Sequence, residues 1–150
     1  MTGLRRATMA DVDAVTALQQ AAYAKNRDLL GVEPLPLLSD YVEIFSAHEI
    51  WLMECPDGLQ GVLILEPRRD DLLIWSVATA PSAQGRGLGK QLLAAAEQRA
   101  KELGRSVIRL YTGEPLTGNI AWYGRHGYAV ERVEALADRS IVHMAKSLQS

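Results

Sequence analysis

The chain has 150 residues, of which 48% are hydrophobic and 23% charged, and its formal net charge is −2 at pH 7. This composition is typical of an ordinary globular protein, and we expect a single domain over residues 1–150. The slightly negative charge argues against nucleic acid or an anionic membrane as a general partner, and no apolar run approaches the roughly 20 residues of a membrane span. With no signal-like apolar segment near the N-terminus, we expect a cytoplasmic protein.

In the first half of the chain, residues 4–7 are strand-like and precede a helix that Thr8 and Asp11 begin as a capping box. Gly31 and two prolines predict a loop over residues 25–36, followed by a short helix over 37–45. The sequence Pro56-Asp57-Gly58 is typical of a hairpin turn. It separates two of the three strands predicted next, which cover residues 49–55, 61–67 and 72–79.

In the second half, an apolar stripe at helical spacing runs from Leu88 and ends at Gly104, which predicts a helix that packs on the core. Four more elements follow: a strand at 107–112, a helix at 119–126, and strands at 128–134 and 140–146. The order of elements predicts an α/β (α+β) domain. We expect the last strand to lie exposed, where it could pair with a second subunit in a homodimer.

The most informative segment is a glycine-rich turn between the strand at 72–79 and the helix that follows. The first N–H groups of a helix lack partners inside it, and the helix dipole adds positive charge, so a phosphate binds there readily. Glycine at this turn lets a large ligand approach the backbone, and the neighbouring cations add charge. The segment consists of Gln84, Gly85, Arg86, Gly87, Leu88, Gly89 and Lys90.

Spacing excludes two well-known glycine loops. A nucleotide P-loop needs glycine where Gln84 stands and a hydroxyl residue where Gln91 stands. A dinucleotide fingerprint needs Gly-x-Gly-x-x-Gly after the first strand, whereas this chain has Gly-x-Gly-x-Gly in its middle. The order Gln84-Gly85-Arg86-Gly87-Leu88-Gly89 instead resembles the pyrophosphate loop of the GNAT superfamily of N-acetyltransferases.

A second motif supports the same resemblance. The segment from Asn119 to Tyr128 contains an aromatic-tyrosine pair, Trp122-Tyr123, and a closing glycine, Gly127. It is similar to the other GNAT signature, a short helix that begins near an asparagine. Asn119 or Thr117 is suited to cap this helix, and Gly127 is suited to end it in the left-handed conformation.

The resemblance implies a GNAT-like mixed, mostly antiparallel central sheet, flanked by helices and splayed between the fourth and fifth strands. It implies acetyl-CoA as cosubstrate, with the pantetheine arm paired to the backbone of Val77, Ala78 and Thr79. A backbone N–H near Val77 or Ala78 would polarise the thioester carbonyl. Asn119 matches a position that contacts the coenzyme. Tyr123 matches the position whose phenol lies near the sulfur and acts as general acid, in keeping with its usual pKa of about 10.

The general base and the acceptor stay open at this point. No carboxylate lies on the fourth strand, so Glu114, just past the fifth strand, and Glu66, at the end of the third, are candidates, directly or through water. Asp40 and Glu43 could attract a cationic amine. The resemblance implies transfer to a primary amine of a polyamine, an aminoglycoside-like compound, an amino acid or a protein. A CoA-binding sensor without catalysis and a longer acyl donor are the alternatives.

We expect neither a metal nor a catalytic cysteine. The three histidines, His48, His126 and His143, show no metal-ligand spacing, and the single cysteine, Cys55, lies in an apolar strand.

Overall fold

The protein is described from a computed structural model that covers residues 3–148. Within these residues the seven strands form one sheet in the order β1-β2-β3-β4-β5-β7-β6, and β4 with β5 is its parallel pair. The strands are β1 (Arg5–Arg6), β2 (Glu49–Cys55), β3 (Gly58–Pro67), β4 (Leu72–Thr79), β5 (Val107–Gly113), β6 (Ala129–Ala135) and β7 (Ser140–Ser147). The helices are α1 (Val12–Tyr23), α2 (Asn26–Leu30), α3 (Tyr41–Ala47), α4 (Leu88–Glu102) and α5 (Thr117–Arg125). This architecture confirms the predicted fold class.

The sheet has an apolar core on each face. Strand β3 is apolar at successive positions because it is buried on both sides. Its residues Leu63 and Leu65 pack with the apolar stripe of α4, while Val62 and Ile64 pack against α1 and α3 on the opposite face. The two cores hold the middle of the sheet rigidly between helices, and the cavity described below opens within it.

Strands β4 and β5 separate after a short contact. Their pairing covers three residue pairs and ends at Ile74 with Leu110. A bulge in the β3–β4 pairing falls at Trp75, because Ile64 pairs with Ser76 while Leu65 pairs with Ile74. A bulge bends its strand and increases the local twist. The rest of β4 therefore diverges from β5 and confirms the predicted splay.

Three helices differ from the sequence prediction. The segment expected to be a loop contains the short helix α2, which ends at Gly31 in the left-handed conformation, φ +72°. Helix α3 begins at Tyr41, since Asp40 caps it by accepting a hydrogen bond from the N–H of Val42. Helix α5 begins at Thr117, and Leu116 stands at its N-cap position without a side-chain hydrogen bond.

The expectation of an exposed last strand was wrong. Strand β7 lies between β5 and β6 and pairs antiparallel with both. The described edge strand on this side is β6, whose residues are mostly exposed. Among residues 3–148, no helix combines the length and the apolar character needed to cross a membrane.

Candidate active site

The split between β4 and β5 opens into a cavity of about 440 Å³. Its walls are the diverging part of β4, the end of β5, the glycine loop with the start of α4, and helix α5. The far side is closed by the C-terminal end of α1, the loop between α2 and α3, and the start of β7. One continuous cavity therefore connects the glycine loop with Tyr123 of the second motif.

The glycine loop has the geometry of an anion site. Gly85 and Gly87 lie in the left-handed region with φ of +81° and +75°, and no heavy atom lies within 4 Å of where their Cβ atoms would be. Helix α4 makes its first backbone bond from the N–H of Gln91 to the carbonyl of Gly87, at 3.2 Å. The N–H groups of the three preceding residues consequently have no helical acceptor. These residues are Leu88, Gly89 and Lys90, and all three line the cavity.

The cations near this loop have different positions. Lys25, beyond the end of α1, lines the cavity and donates from Nζ to Oε1 of Gln84 at 3.2 Å. Lys90 lines the cavity from α4, while Arg86 is exposed and is not among the lining residues. The cavity end at the glycine loop thus carries the positive charge of Lys25 and Lys90 close to free backbone donors.

Helix α5 brings Asn119 and Tyr123 to the opposite wall of the cavity. Capping does not explain Asn119, because it lies inside the helix and Leu116 occupies the N-cap position. Tyr123 contacts Trp122 and Tyr128 with ring centroids 5.1 and 5.9 Å apart. Burial raises the pKa of the Tyr123 phenol above its usual value, with a smaller contribution from Tyr23, so the hydroxyl stays protonated at neutral pH.

Beyond Ile74, the edge of β4 that faces the split has no strand partner among the described residues. On the other edge the N–H of Ala80 donates to the carbonyl of Gln60 in β3 at 2.8 Å. Since successive N–H groups point to opposite edges of a strand, the N–H groups of Val77 and Thr79 face the split. Val77, rather than Ala78, therefore has its donor on the cavity side.

The model of the acetyltransferase (GNAT) family matches residues 14–128 of the chain. The chain belongs to the GNAT family. A curated relative, the uncharacterized N-acetyltransferase YvbK of Bacillus subtilis strain 168, is 28% identical over 99 residues. That match spans 65% of this chain and 62% of the relative's length.

Solved structures show the same GNAT fold. An acetyltransferase of Bacillus subtilis in complex with CoA superposes with a TM-score of 0.76 at 20% identity, covering 97% of this chain and 98% of that one. A GNAT acetyltransferase of Elizabethkingia anophelis with acetyl-CoA bound has a TM-score of 0.74 at 17% identity, covering 97% of each chain.

In this GNAT chain, a network of uncharged polar groups supports the wall of the cavity opposite α5, and Tyr23 and Ser76 are its members whose side chains belong to lining residues. Gln19, fully buried in α1, donates from Nε2 to Oγ of Ser76 at 3.0 Å and to the hydroxyl of Tyr41 at 3.1 Å. The Tyr41 hydroxyl donates to the carbonyl of Pro36 at 2.8 Å. The hydroxyl of Tyr23 lies 2.8 Å from Oγ of Ser76, and burial raises the Tyr23 pKa. This network fixes the wall without introducing a charge.

No aspartate, glutamate or histidine is among the described residues that line the cavity. Glu114 is exposed and follows β5, where its N–H donates to the carbonyl of Ser140. Glu66 lies outside the lining, with its carboxylate 3.9 Å from Nε2 of His48. Asp40 is occupied as the cap of α3, and Glu43 is exposed on that helix. The structure therefore does not bring the four candidate carboxylates together with Tyr123 in the cavity lining.

Sequence reasoning missed several residues that form or support the wall of this cavity. Gln19 and Ser76 are 57 positions apart, and no local spacing connects them. One signal was present, because Gln19 is a polar residue on the buried face of α1, which also carries Val15 and Leu18. Arg139 also lines the cavity, and neither of the two GNAT motifs includes it. Among residues 3–148, no group of three or more His, Cys, Asp or Glu side chains is placed to hold a metal ion.

Proposed function

We propose that this protein is an acetyl-CoA-dependent N-acetyltransferase that transfers the acetyl group directly to a primary amine in a ternary complex. The observation that carries this proposal is the single cavity that joins the glycine loop to Tyr123 through the split in the sheet. Family membership and the two CoA-bound relatives named above support it. Acetyl-CoA would supply the acetyl group as an activated thioester.

The chain has the groups that such a cosubstrate requires. The free N–H groups at the start of α4 and the charge of Lys25 and Lys90 suit the pyrophosphate. The unpaired edge of β4 suits an extended pantetheine arm, which carries amide groups that pair as a strand does. The N–H of Val77 is placed to donate to the thioester carbonyl, where negative charge develops as the amine attacks.

Tyr123 is proposed to protonate the departing sulfur. When the amine nitrogen bonds to the carbonyl carbon and the C–S bond breaks, the electron pair goes to sulfur as a thiolate. A thiolate of CoA needs a proton donor that still holds its proton at working pH. Since burial raises the Tyr123 pKa, this phenol meets that condition. The amine releases its own proton to solvent, because no carboxylate or imidazole is among the described lining residues.

The first experiment is binding followed by turnover. Acetyl-CoA should raise the melting temperature of the wild-type protein, since a ligand that binds the native state stabilises it. Thiol release should then be measured against a panel of primary amines. Tyr123→Phe should keep acetyl-CoA affinity within about twofold and lower kcat about 10²-fold or more, the usual contribution of a general acid. Tyr128→Phe is the matched control, because Tyr128 is a buried tyrosine that does not line the cavity and whose hydroxyl donates to Glu97.

The outcome separates an enzyme from a binding module. Acetyl-CoA binding with no amine-dependent thiol release in wild type would overturn the catalytic proposal and favour a CoA-binding sensor. No binding at concentrations well above micromolar would overturn the cosubstrate. If longer acyl-CoA donors are turned over faster than acetyl-CoA, the donor is wrong while the acyl transfer stands.

A further inference from the structure

The charged side chains that line the cavity are all of one sign. The charged side chains among its described lining residues are those of Lys25, Lys90 and Arg139, and none is acidic. Lys25 and Lys90 belong to the glycine-loop end, where the first contacts Gln84 and the second lies in the first turn of α4. Arg139 lies apart from them, before β7 and against the loop between α2 and α3. The end of the cavity away from the phosphate loop thus has a cation of its own.

Hydrogen bonds hold the Arg139 side chain in place and leave some of its N–H donors unused. Its side chain is 7% exposed, although the residue lies in the turn between β6 and β7. One Nη donates to the carbonyl of Glu33 at 2.7 Å, and Nε with the other Nη donates to the Asp138 carboxylate at 3.0 Å each. A guanidinium has five N–H donors, and these bonds within the described residues use three of them.

We propose that the acceptor is an amine that also bears a carboxylate, and that Arg139 binds this carboxylate at the end of the cavity away from the glycine loop. This inference rests on the proposed N-acetyltransferase function and names the class of its acceptor. One N–H on each Nη of Arg139 remains for a carboxylate of the acceptor, and hydrogen bonds between a guanidinium and a carboxylate are charge-assisted and of the stronger class. Asp138 is 57% exposed, so solvent screens its charge more than that of the buried guanidinium.

The same charges weigh against a polycationic acceptor. A polyamine or an aminoglycoside-like compound carries further ammonium groups, which need carboxylate or carbonyl partners when water is removed. The lining has cations where such a ligand would need anions. An amino acid or another amine with a carboxylate has one group to be acetylated and one group that Arg139 can bind.

The decisive comparison uses acceptors that differ in the carboxylate alone. L-amino acids and the corresponding L-amino acid amides should be tested side by side for acetyl-CoA-dependent thiol release. Because replacing the carboxylate by an amide also lowers the pKa of the neighbouring ammonium group, kcat/KM must be compared per neutral amine. On that basis, for the preferred side chain, we expect kcat/KM to be about 10- to 100-fold higher for the acid, as for a hydrogen bond to a charged group. Arg139→Gln should remove this preference by raising KM for the acid, while the amide keeps its wild-type kcat/KM within about threefold.

The variants separate substrate binding from a structural role. If Arg139 only tied the hairpin to the loop at Glu33, its loss would affect acid and amide equally. The matched control is Arg132→Gln on β6 of the same hairpin, since Arg132 is 61% exposed and does not line this cavity. It should keep the wild-type preference. Should Arg139→Gln fail to fold, Arg139→Lys keeps the charge without the fork and should retain part of the preference.

Three results would overturn the inference. The first is an amide that is acetylated as well as its acid, and the second is an acid preference that survives in Arg139→Gln. The third is turnover of a polyamine with none of any carboxylated amine, which would leave the proposed N-acetyltransferase function intact. If acetyl-CoA binds and no amine of any class is acetylated, the proposed function itself fails, and the acceptor class fails with it.

Discussion

Replacing Gly87 by aspartate should abolish acetyl-CoA binding and leave the fold intact. Gly87 has φ +75° and ψ 13°, and a Cβ atom there meets no heavy atom within 4 Å. The cost to folding is therefore left-handed backbone strain alone, about 1 kcal/mol for a non-glycine residue. Two unit charges about 5 Å apart at an effective dielectric of about 20 repel by about 3 kcal/mol. A carboxylate beside the pyrophosphate should thus weaken binding about 100-fold or more.

A matched control exists at the other end of the same helix. Gly104 has φ +72° and, like Gly87, has open space where a Cβ would be, so Gly104→Asp imposes the same strain. It lies beyond the C-terminus of α4, a helix of 15 residues that is about 22 Å long, and no charge effect reaches the loop. Gly87→Asn separates bulk from charge, because it has the size of aspartate without its charge.

Calorimetry measures the affinity for acetyl-CoA, and urea unfolding measures the stability of each variant. Together they show whether binding is lost without a matching loss of stability. We expect Gly87→Asp alone to lose the ligand, although Gly104→Asp should lose the more unfolding free energy, because a carboxylate is favourable at the start of a helix and unfavourable at its end. Two results would refute the reasoning: Gly87→Asp with a Kd within threefold of wild type, or an equal loss of affinity in Gly104→Asp.

Two further predictions concern pH. No described lining residue is a carboxylate or imidazole, so the ionisation of the acceptor amine alone should control the pH dependence. A plot of log kcat/KM against pH should therefore rise with a slope near one up to the amine's own pKa. A plateau that begins at about pH 6 or 7 would contradict this prediction. Asp71, 5% exposed, accepts bonds from Arg68 and Arg109, and the first of these lowers its pKa most. Its stabilising effect is present above pH 4 and is lost as pH falls through the folded-state pKa. In urea unfolding, Asp71→Asn should lower the free energy of unfolding by about 1–2 kcal/mol at pH 7 and by less at pH 3. An equal loss at the two pH values would contradict the stabilising role of the ionised Asp71 carboxylate.

The predictable parts of the fold are those with strong local signals. Strands β2 and β4 have the predicted bounds because each is an apolar run between turn residues. Helix α2 was missed because the glycine and prolines that follow it dominate the local pattern, although Gly31 merely ends the helix. The place of β7 between β5 and β6 depends on long-range pairing, which no neighbouring residue encodes.

The residues of the candidate site fall into the same two groups, those with a local sequence signal and those placed by long-range contacts. The glycine loop and Tyr123 lie in two short motifs, and the resemblance of these motifs to the GNAT signatures was enough to propose them. The opposite wall depends on contacts between distant segments, such as the bond from Arg139 to Glu33 across 106 positions. Tyr23 is positioned by the hydrogen bond between its hydroxyl and Oγ of Ser76, which can form only when α1 packs on the sheet. Motifs therefore predict the part of the cavity formed by the glycine loop and α5, whereas the opposite wall depends on tertiary structure.

The position of β7 also has a consequence for how the chain folds during its synthesis. The ribosome makes β5 and β6 before β7, yet neither pairs with the other in the finished sheet. Until Ser140–Ser147 has left the exit tunnel, one edge of β5 keeps unpaired N–H and carbonyl groups, which attract other strands. Pairing of β5 with β7 must therefore follow the synthesis of β6, and Arg139, adjoining β7, reaches the cavity only when this non-local pairing forms.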